Sequence, residues 1–302
     1  MIHIQEVVTR DGLQNEREYV PTEKKIELIN RISQTGVNKI EVTSFVSPKA
    51  VPNLKDAEEV MKNIDRNPDV TYTTLIPNLK GAQRAVECEA DEVNLLVSAS
   101  NTHNLKNVKK TTEDTFESFK EIIDYLSDKN IALSGALGTS FGCPFEGNVP
   151  EERILDCVQK YIDLGVNRIT LADTTGMATP KQVYELSSKV LDEFPNITLT
   201  LHFHNTRGMG LANVLEGIRA GVIHFDASLG GIGGCPFAPG ASGNICSEDL
   251  VHMLHFMDYE LNVDLDKMIE TSKYLQTLLS HPLDGQIINA GKITDLHSVD
   301  GI

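Results

Sequence analysis

The feature that most constrains the fold of this 302-residue chain is a repeated alternation of short β-like runs with helix-period segments. Strict strand–helix alternation favours a parallel sheet, and eight such units in one chain of this length predict a closed (β/α)8 TIM barrel. A doubly wound sheet is the alternative, but no GxGxxG motif follows the first run, and "GGIGG" comes only after the eighth. The predicted strands are 2–9, 39–45, 70–77, 92–98, 131–138, 168–173, 197–204 and 224–231.

Helix signals fill the gaps between these runs. Apolar side chains between Thr115 and Leu126 recur on one helical stripe. Pro150 followed by two acidic residues is typical of a helix start. In "TPKQ", Thr179 is the expected N-cap, and Gln182 is expected to close a capping box.

The predicted organisation is one catalytic domain over residues 1–302. The barrel takes about residues 1–260, and a C-terminal helical extension takes about residues 261–302. Within the extension, "DLDKMIETSKYLQTLL" predicts one more helix, and residues 285–302 are expected to drape over the barrel.

The composition argues against several classes of function. A formal net charge of −16 repels nucleic acid at long range, so we expect no nucleic-acid partner. No apolar run approaches the roughly 20 residues of a membrane span, and no signal peptide is recognisable. We therefore expect a cytoplasmic protein without a membrane partner. Five cysteines without a CxxC spacing indicate reduced thiols.

The stretch "LTLHFHNTRG" places His202 and His204 two positions apart at the end of predicted strand seven, so both imidazoles face the same way. Asp11, after strand one, can add a carboxylate, and Asn244, after strand eight, can add an amide oxygen. Two nitrogens with two oxygens suit Mg²⁺ or Mn²⁺ better than a structural zinc. Zinc stays an alternative because Cys235 lies in the loop that contains Asn244.

Other polar residues collect at the carboxyl ends of the predicted strands, where barrel enzymes build their active sites. Arg10 offers a rigid fork of donors and is expected to stabilise a developing enolate oxygen. Glu41 can hold that guanidinium in place, and a purely structural ion pair is the alternative. The remaining residues at these strand ends are Thr43, Ser44, Asp173 and Thr174.

The loop "GGIGGCPFAPGASGN" follows strand eight and is rich in glycine. A long, conformationally permissive loop in a compact domain predicts a lid that closes over substrate. Cys235 lies within this loop, so its thiol is a candidate acid or base that is presented when the lid shuts. Cys88 and Cys157 fall on helical apolar stripes and are expected to be inert.

Five segments together resemble the hydroxymethylglutaryl-CoA lyase family: "TRDGLQNE", "EVTSFVSPKAVP", "GCPFEG", "LHFHNTRG" and "SLGGIGGCPFAPGASGN". The similarity runs through nearly the whole chain. The last segment is specific for these lyases, whereas "RDG" and "HxH" are shared with related metal-dependent synthases. The resemblance implies cleavage of 3-hydroxy-3-methylglutaryl-CoA to acetyl-CoA and acetoacetate with a divalent cation, and with it leucine degradation and ketone-body chemistry.

The resemblance also implies roles for individual residues. The implied metal ligands are Asp11, His202, His204 and Asn244. The same resemblance implies that Arg10 contacts the substrate carbonyl and that Cys235 is the catalytic thiol. Together with Asp173 and Glu41 from the strand ends, these are the expected catalytic residues. The residues assigned to substrate binding are Arg10, Gln14 and Ser44. Phe145, Phe237 and Asn205 depart from the residues common in the family, which affects hydrogen bonds around the site rather than the ligand set.

The expected chemistry is a retro-Claisen cleavage, in which charge moves onto the thioester oxygen near Arg10. Asp173, His202 and Cys235 are all candidates for the proton transfers. We favour Cys235 for delivering a proton to the acetyl-CoA enolate and Asp173 for the substrate hydroxyl. The expected partners are an acyl-CoA substrate and a second copy in a homodimer. The rival classes are a condensing synthase, for which the chain leaves little room for an extra domain, and a non-enzymatic metal-binding protein.

Overall fold

The computed structural model describes residues 1–234 and 243–296. Eight parallel strands pair in sequence order, and the last pairs with the first to close a barrel. The strands are β1 His3–Glu6, β2 Lys39–Ser44, β3 Thr71–Ile76, β4 Glu92–Ser98, β5 Ala132–Gly138, β6 Arg168–Asp173, β7 Thr198–Phe203 and β8 His224–Ala227. Every strand lies within its predicted range, so the (β/α)8 barrel is confirmed.

Helices alternate with the strands and continue beyond the barrel. The α-helices of the described residues are α1 Thr22–Ile32, α2 Ala57–Asn63, α3 Leu79–Glu87, α4 Asn101–Val108, α5 Thr112–Leu126, α6 Glu151–Asp163, α7 Pro180–Glu193, α8 Gly210–Arg219, α9 Ser247–Phe256, α10 Leu265–Leu278 and α11 Ile287–Ala290. Within the described part of the chain, no helix is both long and apolar enough to span a bilayer.

Of the two predictions for the start of α7, the N-cap is confirmed and the capping box is wrong. Thr179 is the N-cap, and its side chain accepts a hydrogen bond from the Gln182 backbone N–H at 3.4 Å. The Gln182 side chain does not close the capping box, because it donates to the Phe141 carbonyl at 3.1 Å instead. The glutamine therefore ties the start of α7 to the loop after β5.

The predicted extra helix is confirmed as α10, which packs against α1 and α9. Beyond it, the backbone N–H groups of Gln286 and Ile287 donate to the Asp249 carboxylate of α9 at 2.9 and 2.8 Å. The Asp284 N–H donates to the Gly230 carbonyl after β8 at 3.1 Å. The described part of the extension therefore packs beside the segment that leaves the last strand, and residues 297–302 lie outside the described residues.

The barrel interior is polar. Ile4, Ile40 and Val93 belong to the apolar core that the strands share with the helices. Strand residues alternate in direction, so the neighbours of these side chains face the barrel axis. The buried polar residues at such positions are Gln5, Glu41, Thr73, Asn94, Ser134 and Asp226. Barrels of this kind are usually filled by branched apolar side chains, and here polar groups line the axis between the two mouths instead.

Candidate active site

Three side chains that can bind a metal converge at the carboxyl ends of β1 and β7. A turn of π-helix, Val8–Gly12, follows β1 and carries Asp11 inward. His202 Nε2 lies 3.9 Å and His204 Nε2 lies 3.6 Å from Asp11 Oδ2. One ligand atom from each of the three residues lies within 4.8 Å of the others, and all three side chains are buried. The predicted alignment of the two imidazoles on one face is confirmed, and this donor set fits a divalent cation.

Asn244 reaches the same point from the segment that precedes α9. This segment pairs with the end of β7, because the Asn205 N–H donates to the Gly243 carbonyl and the Ile245 N–H donates to the Phe203 carbonyl, both at 3.0 Å. Asn244 Nδ2 donates to Asp11 Oδ2 at 2.8 Å. A half-turn of the amide would exchange Nδ2 for Oδ1 at this position. The same side chain can therefore offer an oxygen ligand.

Close backbone approach makes this arrangement possible. Gly233 has φ +113°, and a Cβ at that position would lie 2.4 Å from Asn244 Nδ2 and 2.9 Å from the Asp11 carbonyl. A larger residue would push Asn244 away from Asp11. Gly234 follows Gly233, and its carbonyl accepts a hydrogen bond from Asn15 Nδ2 at 2.7 Å. The entry to the predicted lid is thus held against the loop that carries Asp11.

Arg10 is held between two acids. Its Nη1 lies 2.5 Å from Asp11 Oδ1, and its Nε is hydrogen-bonded to Glu41 Oε2. Burial would lower the pKa of Arg10, but Glu41 and Asp11 raise it. Burial would also raise the pKa of Asp11, but Arg10 and the two histidines hold it well below its ordinary value. Both groups are therefore charged at neutral pH, and the expected Arg10–Glu41 contact is present.

Two residues that sequence reasoning missed hold these groups in place. Asp226 Oδ2 lies 3.1 Å from His202 Nδ1, which leaves Nε2 of that ring facing Asp11. Burial alone would lower the pKa of His202, but Asp226 raises it. Asn94 Nδ2 donates to Glu41 Oε1 at 3.1 Å. A carboxylate or amide behind a ligand or an ion pair fixes its orientation, and strand alternation was the only sequence signal for either residue.

A third missed residue, Glu6, fixes the segment that carries Asn244. Its carboxyl group accepts hydrogen bonds from Ser247 Oγ at 2.6 Å, the Leu229 N–H at 3.0 Å and the Val8 N–H at 2.9 Å. It therefore joins the end of β1 to the chain leaving β8 and to the start of α9. Burial raises the pKa of Glu6 to about 8 despite these hydrogen bonds.

The other predicted site residues have diverse surroundings. Gln14 Nε2 donates to Asp11 Oδ1 at 2.9 Å, which places Gln14 beside the ligand cluster. Ser44 is buried at the end of β2. Asp173 accepts backbone hydrogen bonds from Met177 at 2.7 Å and Ala178 at 3.0 Å. Burial raises the pKa of Asp173, and these hydrogen bonds and the nearby histidines offset part of that rise.

Several buried polar atoms near the site have no hydrogen-bond partner among the described residues. They are His204 Nδ1, Asp226 Oδ1, Asn94 Oδ1 and Ser44 Oγ. A buried polar atom without a partner costs about 1–3 kcal/mol, and natural proteins keep few of them unless a ligand or water completes the set. His204 and Asp226 belong to the cluster around Asp11, and Asn94 lies behind the Arg10–Glu41 pair. Their unpartnered atoms favour a ligand-binding role for this mouth of the barrel.

All thiols in the described part of the chain are buried, which fits the expectation that Cys88 and Cys157 are inert. Cys88, Cys143, Cys157 and Cys246 are free and buried. Burial raises the pKa of Cys157 to about 12, which makes that thiol unreactive at neutral pH. The expectations for Cys235, that its loop is a lid and that its thiol is presented to substrate, fall on residues 235–242, which lie outside the described residues.

Comparisons with known proteins agree with this architecture. The HMGL-like family model matches residues 1–275. The Bacillus subtilis hydroxymethylglutaryl-CoA lyase YngG is 42% identical, over 96% of this chain and 97% of its own length. A (R)-citramalyl-CoA lyase from Chloroflexus aurantiacus is 38% identical, over 97% and 95%. A solved HMG-CoA lyase from Acinetobacter baumannii, in complex with coenzyme A and 3-methylmalate, superposes with a TM-score of 0.96 at 52% identity, covering 99% of this chain and 98% of its own.

Proposed function

Since the chain belongs to the HMGL-like family, we propose that it is a carbon–carbon lyase that cleaves 3-hydroxy-3-methylglutaryl-CoA to acetyl-CoA and acetoacetate with the help of a divalent cation. The observation that carries the proposal is the convergence of Asp11, His202 and His204 beside a clamped Arg10. A non-enzymatic protein would not need a buried guanidinium and three candidate metal ligands at the same mouth of the barrel.

The residues that would hold the cation are Asp11, His202, His204 and Asn244. When bound, a divalent cation there would lower the pKa of a substrate hydroxyl and fix its orientation. Asp226 keeps the His202 ring in one orientation through Nδ1, and the Gly233 approach keeps Asn244 beside Asp11. These contacts hold three of the candidate ligands in place, and a half-turn of the Asn244 amide would add its oxygen. Such prior positioning supports tight binding of a hard cation.

Arg10 is assigned to the charge that develops during cleavage. When the bond between C2 and C3 of the substrate breaks, its electron pair moves onto the thioester oxygen. A buried guanidinium beside that oxygen stabilises the resulting enolate more than water would, because the site has a low dielectric constant. Glu41 and Asn94 orient the guanidinium from behind. They act through Arg10 rather than on the substrate.

Two proton transfers complete the reaction. The tertiary hydroxyl must lose a proton as the ketone of acetoacetate forms, and the enolate must gain one at carbon to give acetyl-CoA. Asp173 is proposed for the first transfer, because it lies near the two histidines and its raised pKa makes it a stronger base than an ordinary carboxylate. Cys235 is proposed for the second transfer, and His202 stays the alternative for the first.

A second substrate is favoured by one specific observation. The relative named (R)-citramalyl-CoA lyase is almost as similar to this chain as the hydroxymethylglutaryl-CoA lyase of B. subtilis, at 38% against 42% identity. Citramalyl-CoA is one methylene shorter and also carries a tertiary hydroxyl. A hydrophobic or steric difference of one methylene changes kcat/KM only about 10–200-fold, so both substrates must be assayed.

The test is direct product analysis. Purified protein with Mg²⁺ or Mn²⁺ is given each thioester, and acetyl-CoA, acetoacetate and pyruvate are measured. The proposal is supported if acetoacetate forms and kcat/KM for 3-hydroxy-3-methylglutaryl-CoA exceeds kcat/KM for citramalyl-CoA. A higher kcat/KM for pyruvate formation from citramalyl-CoA favours the shorter substrate. Failure to cleave either thioester would refute the lyase assignment. Cys235→Ala, with Cys88→Ala as the matched control, tests the thiol: undiminished kcat in Cys235→Ala would remove it from the mechanism.

We further propose that the protein works in the cytoplasm as a homodimer, and that it contributes to leucine degradation and ketone-body formation. An acyl-CoA substrate and acetoacetate as product are the support for the metabolic role. Light scattering coupled to gel filtration tests the oligomeric state, and a mass near 66 kDa, twice the 33.2 kDa of the chain, is the expected result. A mass near 33.2 kDa would refute the dimer.

A further inference from the structure

A second polar cavity lies at the opposite mouth of the barrel, where the strands begin. Its volume is about 230 Å³, room for several water molecules at roughly 30 Å³ each. The lining residues include His3, Lys39, Thr71, Arg168, Thr198 and His224, each of which is the first residue of its strand. The cavity is therefore separated from Asp11 and Arg10 by the length of the barrel.

The charged groups of this cavity carry an excess of positive charge. Glu92, with 1% side-chain exposure, is paired with Lys39 and, at 2.8 Å, with Arg168. Burial raises the pKa of Glu92, but the two cations lower it below its ordinary value, so the carboxylate is ionised and saturated. Two cations share one acid, and the Arg168 side chain is 55% exposed, with donors left for another partner.

A pair of histidines adds further donors. The rings of His3 and His224 stack with their centroids 4.6 Å apart and an interplanar angle of 13°. Burial, together with His3, Lys39 and Arg168, lowers the pKa of His224 to about 4, and Asp226 opposes this shift. Burial first, and the neighbouring positive charges second, keep this ring neutral at neutral pH. Asp226 lies one layer deeper, with its Oδ2 bonded to His202.

Hydroxyl groups complete the donor set. Thr71, Thr198 and Thr200 line the cavity, and each hydroxyl group can donate one hydrogen bond. The one carboxylate among the lining residues, Glu92, already accepts from both cations. The only carboxylate of the lining is therefore already occupied, and the other lining groups are two cations and neutral side chains, several of which can donate hydrogen bonds. This set suits an oxyanion better than a cation.

We propose that this amino-terminal cavity binds a small oxyanion of the phosphate type, held by Arg168 and Lys39 and by the threonine hydroxyls. The volume accommodates inorganic phosphate but not a nucleotide. The observation is independent of the lyase assignment, because none of these residues belongs to the site at the other mouth. A purely structural role for the three charges is the competing explanation, and it predicts no binding.

The test is isothermal titration of metal-free protein with phosphate in HEPES buffer, at ionic strength kept constant with chloride. Saturable binding is expected, weakened at least about tenfold in Arg168→Gln, the scale of one lost hydrogen bond to a charged group. Thr200→Val should weaken binding less. Lys181→Gln is the matched control, because Lys181 is 83% exposed on α7 and its loss changes the net charge equally. AMP, a phosphate monoester, should not bind this cavity.

Two further arms locate the bound ion. Phosphate should shift the ring resonances of His3 and His224 in ¹H–¹³C spectra of histidine-labelled protein, and Arg10→Gln should bind phosphate as the unchanged protein does. Binding that is lost in Arg10→Gln but kept in Arg168→Gln would place the ion at the other mouth and overturn the proposal. The absence of saturable binding at millimolar phosphate would also overturn it.

Discussion

Each mouth of the barrel has a cluster of three charged groups around a central side chain, and the two clusters are opposite in sign. At the carboxyl end, Arg10 lies between the acids Asp11 and Glu41. At the amino end, Glu92 lies between the cations Lys39 and Arg168. In each case the two flanking groups together carry more charge than the central group. The excess charge of that end therefore has the sign of the flanking groups.

The difference shows how one scaffold prepares two kinds of site. Excess negative charge with imidazoles nearby favours a metal cation at the carboxyl mouth, whereas excess positive charge with hydroxyls nearby favours an anion at the amino mouth. Each cluster is expensive to desolvate, and its retention is explained by a bound partner more readily than by stability alone. If catalysis belongs to the carboxyl mouth only, changes there should lower activity most and changes at the amino mouth should lower it least.

Removal of divalent metal should have the largest effect. Protein stripped with EDTA and assayed with chelator present should lose all measurable cleavage activity, and added Mg²⁺ or Mn²⁺ should restore it, because the substrate hydroxyl is a poor acid without a cation. His204→Ala should weaken metal binding roughly tenfold or more, measured by titrating activity with metal. Full turnover in the chelated protein would assign the acids of this mouth to another role.

Arg10→Gln should give the next largest loss. Removing a donor aimed at transition-state charge costs roughly 10²–10³ in kcat, while metal affinity and folding should stay close to those of the unchanged protein. Circular dichroism and metal titration check the latter two. Unfolding or metal loss in this variant would instead show that Arg10 mainly neutralises Asp11 and Glu41.

Asp226→Asn should have an intermediate effect, because the change acts on a metal ligand through one hydrogen bond. Losing the carboxylate behind His202 is expected to reduce metal affinity about 10–100-fold, with kcat at saturating metal changed much less. The activity of the variant as a function of Mn²⁺ concentration separates the two terms. A loss of kcat that excess metal does not recover would show that Asp226 orients more than the ring of His202.

Much of this arrangement could be predicted from the alternation of strand and helix patterns and from the spacing of the two histidines. Alternation gave all eight strands, and His202 and His204 had to share a face once they were placed at a strand end. Asp11 and Asn244 were also brought to the same point as expected, since β1 and β7 are neighbours of β8.

The supporting residues were not predictable in the same way. Asp226 and Asn94 carry no motif, and their roles depend on which atoms of His202 and Glu41 they meet across the barrel, which only side-chain geometry reveals. Gln182 is a local example. Its side chain donates to the Phe141 carbonyl, which the sequence does not place nearby, instead of closing the expected capping box. The amino-mouth cluster joins β2, β4 and β6, which are distant in sequence and are related only by closure of the barrel.

Glu92→Gln should have the smallest effect on catalysis and a clear effect on stability. The change leaves Lys39 and Arg168 without their shared acid, at a cost of about 2–4 kcal/mol in unfolding free energy. This is less than the cost for a fully buried pair, because Arg168 is partly exposed.

The pKa of Glu92 is lowered in the folded protein, so its stabilisation is present above the ordinary carboxyl pKa and is lost as pH falls through the folded value. Urea unfolding of both proteins between pH 7 and pH 3 should therefore show their stabilities converging in acid. Under saturating metal, kcat should change less than about twofold, since the side-chain partners of Glu92 among the described residues are Lys39, Arg168, Thr73 and Ser134, none of which is a candidate site residue. A large fall in kcat with unchanged stability would break the separation of the two mouths.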